Sequence, residues 1–425
     1  MNRKTRRRQK KNRPLTSLGA PNIPAFDQKS IAESLNQVTA AMNSGNTQLA
    51  TRLTDQVLRA APNHPDALNL KAALFMKAGA PLDATRILTK ITALIPKFAQ
   101  AHFNLGTALN AMGKPKRAAK SLQRALEIDP EYADAHYNLA NALRQIGQIN
   151  DAMIHYRDTL KIEPGHSDAA TNLASAHLVL GNPDAALAAS ELALKSDPGN
   201  RDAFSFTAIA ATETGDRQKA ANLLSPELLV RSKQFNTRPG FESLSTFNLA
   251  LAEHVLAHPT LTEDSHNKAT RNGRQTESLA LGDRGPVAEL QNMIGDALDE
   301  YLETIGRGNN HPYPPLIPNL TRIDIWGTVL GAQGHQTAHM HRAAWVSGVY
   351  YVQLPDVMHS GNQGNAGWIE FCRPPDEFNC KATHDVRLIE PKEGLMVLFP
   401  SYLYHRTIPF ESDDLRISIA FDLLA

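Results

Sequence analysis

The 425-residue sequence predicts a two-part, multidomain fold: an all-α array of helical hairpins, followed by an all-β sandwich or barrel with flanking helices. Three observations predict it. Proline, glycine and alanine recur every 34 residues through the first half. That period stops near residue 235, where aromatic, histidine, glycine and β-branched residues become common. From Thr321 onward, short β-branched and aromatic runs alternate with Gly/Pro turns. At about 150 residues per domain the length accommodates two or three domains, so a single small module is excluded.

Composition narrows the class further. With 42% hydrophobic and 20% charged residues and net charge +1, the chain reads as soluble and globular, neither a disordered polyelectrolyte nor a membrane protein. No run approaches the apolar length of a membrane span, and the basic N-terminus has no apolar segment behind it, so a cytoplasmic location is expected. Cys372 and Cys380 are the two cysteines. They are too few for a disulfide framework and fit a reducing compartment.

Residues 1–30 come first. Residues 1–13 hold eight Lys/Arg and no acid, leaving net −7 on residues 14–425. Like charges repel, and Pro14 to Pro24 lacks hydrophobic periodicity, so this stretch reads as a disordered tail. It is a candidate polyanion contact through counterion release, or simply a solubilising terminus. No aromatic residue interrupts the basic run, which gives base stacking no support.

Residues 31–234 hold the period. Prolines stand at Pro62, Pro96, Pro130, Pro164 and Pro198; glycines at Gly45, Gly79, Gly113, Gly147, Gly181 and Gly215; alanines at Ala50, Ala84, Ala118, Ala152, Ala186 and Ala220. Each unit reads as helix, glycine turn, helix and a proline-started connection. Small residues at Ala72, Gly106, Ala140, Ala174 and Ala208 allow close approach of the paired helix, and Leu105, Leu139 and Leu173 fill the gaps. This pattern resembles the tetratricopeptide repeat in six copies. The resemblance implies a right-handed superhelix whose first helices line a concave groove for a protein or peptide. Asn36, Asn104, Asn138 and Asn172 share one phase of the first helix. Repeats with such a ladder hold extended peptide backbone, because an amide both donates and accepts without reading sequence. Leu70 and Phe206 interrupt the series in copies two and six.

In residues 235–425, helices are expected over 241–257 and 286–304. Strands are expected over 322–330, 346–354, 368–372, 394–399 and 416–421. Six of the sixteen histidines, His335, His339, His341, His359, His384 and His405, fall among these strands. Residues two apart on a strand share a face, so His339 and His341 can reach one metal, and His405 can join them from another strand. In Arg416-Ile-Ser-Ile-Ala-Phe, Arg416 and Ser418 face one way and Ile417, Ile419 and Phe421 the other. An inward arginine needs an anion, best a carboxylate. A metal with an anchored carboxylate points to a metal-bound 2-oxo acid. Trp326, Trp345 and Trp368 read as core, and His335, His359 and His384 as exposed loop residues.

The blocks His339-Met-His-Arg-Ala-Ala-Trp-Val-Ser-Gly-Val-Tyr-Tyr-Val, Gly394-Leu-Met-Val-Leu-Phe-Pro-Ser-Tyr-Leu-Tyr-His and Arg416-Ile-Ser-Ile-Ala-Phe, with Asn272-Gly-Arg-Gln-Thr upstream, resemble the 2-oxoglutarate/Fe(II)-dependent oxygenases, which are similar to prolyl hydroxylases. The resemblance implies a double-stranded β-helix (jelly-roll) domain, Fe(II) and 2-oxoglutarate as cofactors, and ascorbate as reductant. It places His339 and His405 as iron ligands, His341 where a carboxylate is usual, and Arg416 with Ser418 on the distal carboxylate of 2-oxoglutarate. Tyr351, on the face of Ser347 and Val349, is a further contact to that carboxylate. Iron would then be held by three histidines, or by two with a carboxylate from elsewhere such as Glu370. The expected activity is hydroxylation of a protein or peptide captured by the repeats. A scaffold with a non-catalytic metal or ligand-binding barrel, and a small-metabolite hydroxylase, are the alternatives.

Overall fold

The 34-residue period becomes twelve helices in six pairs. A computed structural model of the chain describes residues 28–237, 240–263, 269–306, 310–358 and 364–425. The basic run at residues 1–13 and His359 lie outside the described residues. The first helices are α1 (Gln28–Asn43), α3 (Pro65–Lys77), α5 (Ala99–Ala111), α7 (Ala133–Gln145), α9 (Ser167–Val179) and α11 (Arg201–Glu213). Their partners are α2 (Thr47–Ala60), α4 (Pro81–Leu94), α6 (Pro115–Ile128), α8 (Ile149–Ile162), α10 (Pro183–Ser196) and α12 (Arg217–Leu224).

Each repeated residue has a physical task. Gly45, Gly79, Gly113, Gly147, Gly181 and Gly215 all sit at φ between +66° and +83°, the left-handed turn that ends the first helix. At Gly106 an added Cβ would lie 2.5 Å from Leu122 Cγ, so α5 and α6 approach across a missing side chain. The periodic alanines Ala50, Ala84, Ala118, Ala152, Ala186 and Ala220 are all buried.

The described residues before Ile149 form one compact unit and Ile149–Ala425 another. The second unit therefore joins the last repeats to the β domain, whereas the sequence divided the chain at residue 234. Nearly all of α11 is buried, from Ala203 through Ala211. Its residues Phe204 and Ala208 belong to the same apolar core as the sheet residues Val397, Ile417 and Phe421.

After α12 come the short helix α13 (Pro226–Leu229), β1 (Arg231–Gln234), α14 (Leu244–Leu256), β2 (Thr262–Glu263), β3 (Thr270–Gln275) and α15 (Val287–Gly306). The remaining strands are β4 (Arg322–His339), β5 (Val346–Gln353), β6 (Ile369–Phe371), β7 (Arg387–Ile389), β8 (Leu395–Pro400), β9 (His405–Thr407) and β10 (Arg416–Leu424). The sheet runs β1-β8-β5-β10-β4-β9-β6-β7, with β3 on β4 and β2 on β3, every pair antiparallel. It is a curled, jelly-roll-like sheet, as expected. Because β1 already pairs with β8, the β domain begins before residue 235.

Two registers position the site. Strand β10 lies between β4 and β5, with Ser418 opposite Thr328 on one side and Tyr351 on the other. In β4 Gln333 takes φ +59°, and between Gln336 and His339 the register against β9 shifts, so that the last residue of β4, His339, pairs with His405.

Candidate metal and anion site

Three imidazoles converge in a cavity of the curled sheet. The ring centroids of His339 and His405 are 4.3 Å apart, those of His341 and His405 5.1 Å, and those of His339 and His341 5.2 Å. Metal-ligating atoms of the three lie within 4.8 Å of one another. His339 and His405 come together as a cross-strand pair. The sequence expectation that strand alternation aligns His339 with His341 does not hold, because β4 ends at His339. His341 is held instead by its own bonds: its backbone N–H donates to the Ser401 carbonyl at 3.1 Å, and its ring engages Asp422.

The proton positions follow from the acceptors. His339 Nδ1 lies 2.8 Å from the Thr337 carbonyl, and His405 Nδ1 lies 3.0 Å from the Leu403 carbonyl. His341 Nδ1 lies 2.8 and 2.9 Å from the two carboxylate oxygens of Asp422. Carbonyls and carboxylates only accept, so each Nδ1 carries a hydrogen, and Nε2 is the nitrogen left to meet a metal. Asp422 also accepts from Ser347 Oγ at 2.6 Å, which fixes the carboxylate. Burial, with His341 close by, lowers the pKa of His339 to about 4. Burial also holds that of His405 well below its ordinary value, with His339 and His341 adding to the shift. Both rings are neutral at pH 7, the form that binds metal.

Arg416 lies in the same cavity. It is one of the largest fully buried side chains, with Nη1 donating to Ser418 Oγ at 3.3 Å and the guanidinium 5.1 Å from the Tyr351 ring centroid. Arg416 Nε and Tyr351 Oη are buried without a hydrogen-bond partner, and none of the described carboxylates pairs with the guanidinium. Burial lowers the Arg416 pKa and raises that of Tyr351. A buried cation with unused donors is costly until an anion meets it, and a carboxylate fits its fork. The cavity wall includes Trp326, Thr328, Gln336, Val349, Tyr351 and Thr407 around the histidines, Arg416 and Ser418. Imidazole nitrogens suit a first-row metal such as iron, and the unpaired guanidinium suits the second carboxylate of a 2-oxo diacid, so the residues present fit both groups.

Other sequence expectations fare differently. Glu370 is not among the three converging imidazoles. It sits on β6 and bonds to Arg373 at 2.7 and 2.8 Å and to Arg406; although burial opposes the charge, these two guanidinium groups hold its carboxyl below the usual range. Trp326, read as core, lines the cavity and stacks on His341 with 5.6 Å between centroids. His335 lies on β4 rather than in a loop. His384 is not exposed: its side chain is 7% accessible and Nε2 contacts Glu213 at 2.8 Å. Asp422 was missed, although alternation from Arg416 through Ser418 and Ala420 leads to it.

The last repeat holds the segments that carry the histidines. Arg201 donates from Nε and Nη2 to the Arg342 carbonyl at 3.0 and 2.8 Å and stacks on Trp345 at 4.5 Å. Asp202 lies 3.2 Å from Arg342 Nε, and Ser205 donates to the Tyr402 carbonyl. Phe206 packs edge-on against Phe378 at 5.7 Å, and Glu213 accepts from the Lys381 and Ala382 amides. Phe206 thus departs from the asparagine series because its position is part of the docking surface. In the ladder itself, Asn104 donates to Asn69 at 2.8 Å and Asn138 to Thr107 at 3.1 Å; Asn36 is exposed and Asn172 half-buried.

Comparison with known proteins agrees with this anatomy. Residues 324–422 match the family model described as "Putative 2OG-Fe(II) oxygenase", and residues 35–97, 106–147 and 147–208 match tetratricopeptide-repeat models. Similar solved structures include a MamA protein at 28% identity, covering 40% of this chain and 93% of that one, TM-score 0.35. Pseudomonas aeruginosa pilF is 19% identical, covering 47% and 91%, TM-score 0.44. YrrB, a TPR protein, is 21% identical, covering 41% and 94%, TM-score 0.35. No curated protein matches the chain. Tetratricopeptide repeats between residues 35 and 208 are thus followed by a domain that matches, over residues 324–422, the model of the "Putative 2OG-Fe(II) oxygenase" family.

Proposed function

We propose that the protein is a 2-oxoglutarate- and Fe(II)-dependent dioxygenase that hydroxylates a protein or peptide captured by its repeats. The observation that carries this reading is a buried, carboxylate-free Arg416 in the same cavity as three histidines that all present Nε2. His339, His341 and His405 would hold Fe(II), while Arg416, Ser418 and Tyr351 would take the distal carboxylate of 2-oxoglutarate. When bound, the metal and co-substrate supply the oxidation: dioxygen is consumed, 2-oxoglutarate leaves as succinate and carbon dioxide, and a substrate C–H becomes C–OH.

The chain's own residues contribute placement. The Thr337 and Leu403 carbonyls and the Asp422 carboxylate hold the Nδ1 protons, so that the three Nε2 atoms need no rearrangement. Asp422 brings negative charge one hydrogen bond behind His341, where the usual ligand set has a carboxylate. The Arg416 fork fixes co-substrate orientation and the wall at Trp326 limits water. Asn36, Asn104, Asn138 and Asn172 are the proposed contacts to substrate backbone.

The test supplies purified protein with Fe(II), ascorbate and 2-oxoglutarate and measures succinate. Succinate is expected, and His405→Ala or Arg416→Ala should remove it. Turnover unchanged by either substitution would overturn the site. Substrate turnover unchanged by Asn104→Ala with Asn138→Ala would overturn the ladder's role and favour a small metabolite.

A further inference from the structure

The repeats carry a charge segregation that capture of a peptide does not require. Residues 47–124 hold twelve Lys/Arg against three Asp/Glu, whereas residues 125–425 hold 23 against 38. The first segment therefore carries +9 and the second −15 within a chain whose total is +1.

Eight of these twelve cations stand on the second helices of the first three repeats, Lys71 and Lys77 on the first helix α3, and Lys97 and Lys114 in connections. In α6 the buried stripe is Ala118, Ala119, Leu122 and Ala125, and Lys116, Arg117 and Lys120 are exposed on the opposite side. Arg52 and Arg59 take the same exposed place on α2, opposite Ala50, Thr54 and Val57. Arg86 and Lys90 do so on α4, opposite Ala84, Leu88 and Ile91. The first helices pack on one another, α3 on α5 and α5 on α7, so the second helices form the outer layer. Arg86 and Arg124 have acidic neighbours in their own helices, Asp83 and Glu127. Among the described residues no carboxylate pairs with Arg52, Arg59, Lys116, Arg117 or Lys120. Neither α2 nor α6 exposes a large apolar side chain.

We propose that the outer faces of α2, α4 and α6 bind nucleic acid through its phosphate backbone. On α2 and α6 the unpaired cations have no apolar anchors beside them, so they do not make a protein hot spot, which depends on buried aromatic or aliphatic groups; α4 adds Arg86 and Lys90 but also exposes Leu82 and Leu94. The cations do fit a polyanion, whose binding is driven by release of condensed counterions and needs only spaced positive charge. Lys116, Arg117, Lys120 and Arg124 extend about 12 Å along α6 at 1.5 Å per residue, enough for several phosphates of a strand. The absence of aromatic side chains from the exposed faces of α2, α4 and α6 predicts binding without base preference.

The experiment measures fluorescence anisotropy of a labelled mixed-sequence 20-nucleotide RNA and of a duplex DNA with the full chain across a salt series. Binding is expected on the order of 1–100 μM at physiological salt, falling steeply with ionic strength. Lys116→Gln with Arg117→Gln and Lys120→Gln should weaken it about tenfold or more and flatten the log–log salt slope by about 2. Arg157→Gln with Lys161→Gln on α8, where Lys161 already pairs with Asp158 at 2.7 Å, should change it less than about twofold. Unaltered melting of both variants checks folding. An unchanged salt slope in the triple variant would assign the binding to residues 1–13 and overturn the proposal. Salt-sensitive self-association in sedimentation, without nucleic-acid binding, would overturn it in favour of a second copy of this chain.

Discussion

Asp422→Asn is the substitution that isolates the bond behind His341. It leaves all three imidazoles in place, nearly conserves volume, and removes only the charge that accepts the His341 Nδ1 proton at 2.8–2.9 Å. A hydrogen bond to a charged group contributes roughly 1.5–3 kcal/mol, and loss of such an outer partner typically costs ten- to a hundredfold in metal affinity. At about 1.4 kcal/mol per factor of ten, those two figures describe the same loss. Asp422 also receives Ser347 Oγ, so Ser347→Ala should loosen the carboxylate and cost less, about threefold by the same scale. The assay is titration with Co(II) or Mn(II), followed by calorimetry and by the visible or electron paramagnetic spectrum of the bound ion. A dissociation constant for Asp422→Asn within twofold of the parent, with an unchanged spectrum, would refute the claim that this carboxylate orients His341.

Three further outcomes follow from the same geometry. Gly113→Ala should destabilise the array by about 1 kcal/mol in denaturant unfolding, because an added Cβ meets nothing within 4 Å and only the φ of +66° is penalised; Gly113→Asn should cost less. Arg201→Ala removes both bonds to the Arg342 carbonyl and the contact with Trp345, so thermal stability should fall by about 2 kcal/mol and metal affinity should fall with it. Arg201→Lys should recover little of either, since an ammonium cannot reproduce the fork. In metal-free protein, stability should decline as pH drops below about 6.5, because the unfolded chain protonates His339 and His405 there while burial keeps the folded rings neutral, His339 down to about 4. A urea midpoint that stays flat between pH 7 and pH 5 would contradict this.

The helical half was legible because the repeat's turn needs glycine at a positive φ and its helix pair needs small residues, and both leave marks every 34 positions. Five strand runs were legible for a similar reason, since their apolar alternation is local. Strands β1, β2, β3, β7 and β9 were not. The last two have three residues each and exist only because a neighbour supplies hydrogen bonds. His405 was nevertheless found from its chemistry, while its pairing with His339 follows a register shift between Gln336 and His339 that no periodicity announces. His384 was misread because its partner, Glu213, is 171 residues away in sequence. The domain boundary was drawn where the repeat period ends. The run from Ala203 to Ala211, uncharged all round with Ser205 and Thr207 as its polar members, was the signal that the sixth repeat is enclosed.

The docking of α11 limits how such a protein can be remodelled. Gain or loss of repeats at the amino-terminal end leaves Arg201, Ser205, Phe206 and Glu213 in place, so array length can drift and the oxygenase-like fold need not adjust. Exchanging the sixth repeat for a consensus copy would strip the wall from Arg342, Trp345 and Tyr402, which flank His341 and His405 in the chain. A workable graft onto another scaffold must therefore carry α11 and α12 along, which moves the cut point to a turn before Arg201 rather than to the start of the strands.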